Sequence, residues 1–115
     1  MAYASKEKVK ELLDINTADY DAEIDGLIAE YARDIDNKLK ALGVSTPITD
    51  SDLTPSLVDI NARGAAGLFR SKRSPDGVEA VRFTKQAEEK LEAFIKAKYR
   101  RGVLSQTKPE KYTTS

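Results

Sequence analysis

The chain has 115 residues, with 19 Lys+Arg against 19 Asp+Glu, 5 Tyr and 3 Phe, and no Cys, His or Trp. This length suits one domain around one hydrophobic core; the missing Cys excludes disulfides and thiolate metal centres, and the missing His removes the commonest metal ligand and general base, so hydrolytic triads and zinc chemistry are ruled out. Zero net charge argues against nonspecific nucleic-acid binding, which rests on phosphate neutralisation, and the lack of any apolar run near the roughly 20 residues of a membrane span, with an opening Met1-Ala2-Tyr3-Ala4-Ser5 that leads straight into charged sequence, predicts a soluble protein made in the cytosol.

Ser5 is a predicted N-cap for a short helix to about Leu13, with Val9, Leu12 and Leu13 on one face and Ile15 just beyond. The polar stretch Asn16-Thr17-Ala18-Asp19 breaks the pattern, and Asp19 or Asp21 is positioned to cap a second helix. Ile24, Leu27, Ile28, Tyr31, Ile35, Leu39 and Leu42 follow at three- and four-residue steps to Gly43, which predicts the longest helix of the chain, about 23 residues and roughly 35 Å. Its other face is expected to hold Asp21, Glu23, Asp25, Glu30, Asp34 and Asp36. The basic residues Arg33, Lys38 and Lys40 come late, so the order of charges complements the helix dipole.

A polar linker containing Pro47 covers 44–53, and Thr54-Pro55 reads as a capping hydroxyl followed by Pro at the first helical position. The third helix should reach Arg70 or Arg73, with Leu57, Ile60, Ala65, Leu68 and Phe69 inward. Gly64 and Gly67 inside it each cost about 1 kcal/mol relative to Ala, which points to close approach by another helix, in the same molecule before a neighbouring one. Ser71 to Gly77 reads as a loop with Pro-Asp-Gly turn chemistry. Val78, Ala80, Val81 and Phe83 are expected to form a short extended segment before Thr84 caps a fourth helix. That helix presents Ala87, Leu91, Phe94, Ile95 and Lys98 or Tyr99 inward and stops at Gly102. The expectation is an all-α domain of four helices over residues 1–102 and a flexible, polar C-terminal arm over 103–115.

Charge is sorted along the chain. Residues 1–60 carry 13 Asp+Glu and 6 Lys+Arg, and residues 61–115 carry 6 and 13, so the halves are −7 and +7. Opposite faces of this kind suit a heterologous, head-to-tail ring or filament.

The opening Tyr3-Ala4-Ser5, a first helix ending Leu12-Leu13-Asp14-Ile15, the acidic spacer through Asp19 and Asp21, and a long helix with Ile24-Asp25-Gly26-Leu27-Ile28 and Ile35-Asp36 resemble the head-to-tail connector, or adaptor, proteins of tailed bacteriophages. Thr54-Pro55, the loop, the amphipathic last helix and the polar arm extend the resemblance over most of the chain. It implies a virion protein at the head-tail interface, held in the host cytoplasm before assembly. There it would form a ring, commonly of twelve subunits, beneath the portal protein, extend the channel through which DNA passes transiently, and present a surface to a tail-completion or stopper protein. Under this resemblance Val103, Leu104, Lys108, Lys111 and Tyr112 would order on the portal. Arg70, Lys72, Arg73 and Arg82 would stand near a lumen or ring edge, and Asp25, Asp34, Asp36, Lys96 and Arg100 at the subunit interface.

The alternative is a small helical nucleic-acid-binding or regulatory protein using Lys96, Lys98, Arg100 and Arg101 with Arg70, Lys72 and Arg73. Against it, the interhelix connections look too long for a helix-turn-helix, and no aromatics interleave the basic clusters. Carboxylates at Asp14, Asp19, Asp21 and Asp25, or at Glu88, Glu89 and Glu92, read as helix caps and solvated faces rather than as catalytic pairs or Mg2+ ligands. Gly64-Ala65-Ala66-Gly67 lacks the context of a phosphate-binding loop. No catalytic, cofactor or metal residue is assigned, and no cofactor or membrane partner is expected.

Overall fold

The computed structural model describes residues 2–100, the side chain of Arg100 excepted. These residues form four α-helices: α1 (Lys6–Leu13), α2 (Asp21–Lys40), α3 (Thr54–Arg73) and α4 (Val78–Ile95), with α4 continuing into a wider π turn at Lys96–Arg100. Among the described residues there is no strand. The helix phasing dictates this class, because each segment carries one apolar stripe that must be covered by another helix.

Helix α3 is the common partner. It packs on α1, α2 and α4, most extensively on α4. One core cluster joins Val9 and Leu13 of α1, Ile24, Leu27 and Ile28 of α2, Ala62, Ala65, Ala66 and Phe69 of α3, and Phe83 of α4. The second joins Ile35 and Leu39 of α2, Ile48 of the linker, Leu57 and Ile60 of α3, and Leu91, Phe94 and Ile95 of α4. Both glycines of α3 mark close approaches within the molecule. A Cβ on Gly64 would run into the ring of Tyr31 on α2, and one on Gly67 would lie 2.6 Å from Thr84 Oγ1 on α4.

The helix ends follow local chemistry with several departures from expectation. Ser5 caps α1, its Oγ accepting from Lys8 N at 3.4 Å, and Asp14 closes it in the left-handed region at φ 58°, a conformation Asp tolerates better than most residues. Helix α2 spans 20 residues, as long as α3, and no side chain caps it; Tyr20 holds the N-cap position. Asp21, an expected cap, instead takes the Nζ groups of Lys10 at 2.9 Å and Lys6 at 3.4 Å across from α1. After α2, Gly43 adopts φ 83° and Val44 N donates to Leu39 O, a closure that favours glycine. Thr54 does not cap α3 with its hydroxyl; the chain turns in through Asp50, whose carbonyl accepts from both Leu53 N and Thr54 N at 3.0 Å.

The largest correction lies between α3 and α4. Helix α3 runs through Ser71, Lys72 and Arg73, the connection is only Ser74 to Gly77, and the expected extended segment at 78–83 is the first turn and a half of α4. Ala80, Phe83, Ala87, Leu91 and Phe94 continue one buried stripe at helical spacing, while Val78 and Val81 face solvent. Thr84 therefore sits mid-helix against Gly67.

A polar network anchors the N-terminal residues. Asn61 on α3 is completely buried; its Oδ1 accepts from Tyr3 N at 2.9 Å and Ala4 N at 3.0 Å, and its Nδ2 donates to Ile28 O at 3.1 Å. Tyr3 Oη donates to Asp36 Oδ1 and accepts from Ile48 N at 3.0 Å. Asp36, expected on the outer acidic face and, under the resemblance, at a subunit interface, is instead buried inside the molecule.

Gly64→Ala should destabilise the protein by about 1 to 3 kcal/mol in urea melts, because the Tyr31 ring has to move. Gly26→Ala, on α2 with open space around it, should stabilise it by up to about 1 kcal/mol. Asn61→Leu leaves the partly buried N–H groups of Tyr3 and Ala4 without their acceptor and should cost roughly 3 kcal/mol.

Candidate interaction surface

Arg70, Arg73 and Arg82 at the α3–α4 corner stand beside carboxylates of the same molecule. Arg73 meets Glu23 on α2 in a two-pronged pair, Nη1 to Oε2 at 3.0 Å and Nη2 to Oε1 at 2.8 Å, and Nη1 also donates to Phe69 O at 3.0 Å. Its guanidinium carbon lies 3.7 Å from the Phe69 ring centroid and 5.2 Å from that of Tyr20. Tyr20 meets Phe69 edge-on at 5.4 Å. Planar, weakly hydrated arginine suits this combination of stacking and bidentate pairing. Arg70 Nη2 donates to Leu13 O at 3.0 Å. Its Nε stands 3.0 Å from Glu79 Oε1 yet makes no hydrogen bond, so that contact is an ion pair without alignment. Arg82 reaches Glu79 Oε2 at 3.9 Å and lies 5.0 Å from the Phe83 ring centroid. Lys72 is exposed and adds to the positive field at Glu23.

Of the four residues assigned to a lumen or ring edge, Arg70, Arg73 and Arg82 therefore have carboxylate neighbours within the monomer. The same holds across the charge boundary elsewhere, where Asp59 pairs with Arg63 Nε at 3.0 Å and with Lys90 Nζ at 3.5 Å. Part of the opposition between the chain's halves is neutralised internally. These pairs are partly exposed, so each contributes a few tenths of a kcal/mol to stability.

The acidic face of α2 also divides. Asp25 and Asp34 are both exposed, but nine residues separate them, which puts them half a turn out of phase on opposite sides of the helix. Lys96 is exposed in the π turn. The side chain of Arg100, and Val103, Leu104, Lys108, Lys111 and Tyr112 of the expected arm, lie outside the described residues.

Sequence reasoning missed two surfaces. The first is apolar: Val78, 83% exposed, and Val81, 55% exposed, sit one turn apart at the start of α4. Reading 78–83 as a strand hid them. The second is a cleft of about 300 Å³ between α2 and α4, lined by Tyr31, Asp34, Asn37, Lys38, Glu88 and Leu91. It lies where α2 and α4 run side by side on α3, and the Tyr31 ring resting on Gly64 forms its floor. Tyr31 belongs to the periodic core stripe of α2, so spacing alone marks it as core.

Among the described residues no group of three or more Asp and Glu could hold a metal ion, and no helix is long and apolar enough to cross a membrane. The Arg73 guanidinium holds the Glu23 carboxyl below its usual value of 4.5, and Lys10 does the same for Asp21, normally 3.8. Both pairings stabilise the fold above those values and fade as acid protonates the carboxylates. Two phenols are pushed up to about 12: Tyr3 by burial and its hydrogen bond to Asp36, Tyr31 by burial and the charges of Glu88 and Asp34. Comparison with protein-family models, with curated proteins and with solved structures gave no match to this chain.

Because the folded phenols titrate above the unfolded value of 10, their contribution is complete below pH 10 and disappears as pH rises towards 12. Urea melts across this range should fall steeply. Tyr31→Phe, which keeps the ring on Gly64, should make the fall shallower, and phenolate absorbance should report one late-ionising group fewer.

Proposed function

We propose that this chain is a noncatalytic connector protein of a tailed bacteriophage, forming a ring between the portal and the tail. The observation that carries the reading is the order of elements: a short capped helix, an acidic spacer, a long helix, a helix opened by Thr54-Pro55, a tight connection, an amphipathic last helix and a basic, polar continuation beyond Tyr99. In this reading the ring extends the channel for DNA below the portal protein and offers a docking surface to a tail-completion or stopper protein. It is made in the host cytoplasm and ends at the head-tail interface of the virion. The arm that carries Val103, Leu104, Lys108, Lys111 and Tyr112 engages the portal, ordering as it binds.

The subunit interface is drawn from charges that remain available. Asp25, Asp34 and Lys96 are exposed and form no ion pair among the described residues, whereas Asp36 is occupied by Tyr3 and is withdrawn from that role. Since Asp25 and Asp34 point to opposite sides of α2, one at most faces a given neighbour. This arrangement is compatible with a heterologous contact, in which each subunit presents different surfaces to its two neighbours.

Light scattering of the protein alone and with portal rings, at low and physiological salt, should give a discrete ring or a monomer that loads stoichiometrically onto the portal. Asp25→Lys or Asp34→Lys should weaken that association, with a larger effect at low salt, while leaving the melting temperature nearly unchanged. A monomer under every condition that ignores portals would overturn the connector reading. If that monomer also bound duplex DNA with micromolar or better affinity, falling steeply with salt, the nucleic-acid alternative would take its place.

A further inference from the structure

The neutral total conceals a second division of charge, between the helical body and the segment that follows it. Residues 100–115 hold four basic side chains, Arg100, Arg101, Lys108 and Lys111, against the single acid Glu110; the remainder of the chain is therefore −3 and this segment +3. The body offers a cleft of the opposite sign to the segment. On its two rims stand the exposed carboxylates Asp34 of α2 and Glu88 of α4, with Tyr31 and Leu91 as an apolar floor and Lys38 as the one cation in its lining. An aromatic floor between carboxylates favours a lysine or arginine side chain, whose stem can lie on the ring while its charge meets the rims. That both carboxylates act on the Tyr31 phenol places them around the same ring.

We propose that the Tyr31 cleft is the docking site for the basic C-terminal segment of the same molecule. The distances fit. Glu88 lies twelve residues before Arg100, about 18 Å back along the helix, and an extended chain covers that in about six residues. Residue 106 then comes level with Glu88, so the side chains that follow, Lys108, Lys111 and Tyr112, are those that meet Asp34, Glu88 and the cleft floor. Tethering sets the local concentration of the segment in the millimolar range, far above that of a second copy in a micromolar solution. Attachment within the molecule therefore prevails over exchange between molecules. The proposal does not depend on the connector reading: any partner that binds the segment has to draw it away from the cleft, and weaker binding by that partner is the consequence.

The absence of Cys makes the test direct. A single cysteine introduced by Thr113→Cys carries a nitroxide on the full 15N-labelled chain, and amide signals are compared with the label oxidised and reduced. The expected result is loss of the signals of Tyr31, Asp34, Glu88 and Leu91 in the oxidised state. Those signals should return in about 0.5 M salt, where the Debye length is roughly 4 Å, and in the Glu88→Lys variant, an exposed change that leaves the core intact. Signals retained at the cleft, or lost equally with Glu88→Lys and high salt, would overturn the proposal. So would the same losses appearing when spin-labelled unenriched protein is mixed with 15N protein that carries no spin label, since the occupant would then be a second copy. The readout is made on the monomer without portal or DNA, so its failure is separate from failure of the connector reading.

Discussion

The constraint on which the structure depends is the need for α3 to touch all three other helices. A helix buried on several sides cannot carry large residues all round, and the middle of α3 is Ala62, Gly64, Ala65, Ala66 and Gly67, all buried. Glycine inside a helix is unfavourable by roughly 1 kcal/mol per residue relative to alanine, a loss offset here by the approach it permits. Tyr31 lies across Gly64 and Thr84 stacks against Gly67. The larger side chains of the core come from the outer helices and from the two ends of α3, where Leu57, Ile60 and Phe69 fill the space that the small residues leave. Since α2 and α4 both pack on the same small-residue strip, the cleft between them follows from the packing of α3.

Electrostatics takes a form that the linear charge pattern does not anticipate. The division into an acidic and a basic half suggests surfaces seeking partners, yet folding brings parts of the halves together: Glu23 to Arg73, and Asp59 to Arg63 and Lys90. The Arg73 site combines a bidentate pair with stacking on Phe69 and Tyr20 and so ties the start of α2 to the end of α3. What remains for recognition is smaller and more local than the sequence totals imply. It comprises the individual exposed carboxylates of α2, the valine pair opening α4, and the contrast between the body and its basic continuation.

Helix identity is legible in the sequence because it depends on local periodicity. The stripe from Ile24 to Leu39, the Ser5 cap and the Pro55 start are all set within a few residues. The same logic contained the answer for residues 78–83, where Ala80 and Phe83 lie in phase with Ala87 and Leu91. Alternating Val78, Ala80 and strand-forming propensity pointed the other way, and the stripe of the whole helix prevailed. Position relative to distant chain was not legible. Asp25 and Asp36 are eleven residues apart and share an angular position on α2 to within about 20°, but one is exposed and the other buried. The difference is made by Tyr3 and Ile48 passing over the second half of the helix, contacts 33 and 45 residues apart in sequence. The cleft escaped for the same reason, since its two walls belong to helices that are far apart in sequence and are brought side by side by packing on α3.

The central position of α3 also governs the order in which the chain can become a protein. Helices α1 and α2 leave the ribosome first, but the stripe that both bury lies on a helix synthesised later. Until residue 73 has emerged, Val9, Leu13, Ile24 and Ile28 have no complete surface to cover them. The α3–α4 hairpin, closed by only four residues, is the local unit that can form quickly once both its arms are present. The contact from Tyr3 N to Asn61 Oδ1 spans 58 residues and carries the larger loop-closure entropy. Within this span, synthesis and fastening run in opposite directions: Tyr3 and Ala4 are made before Asn61, the residue that holds them, and helices α1 and α2 are made before the helix that covers their apolar stripes.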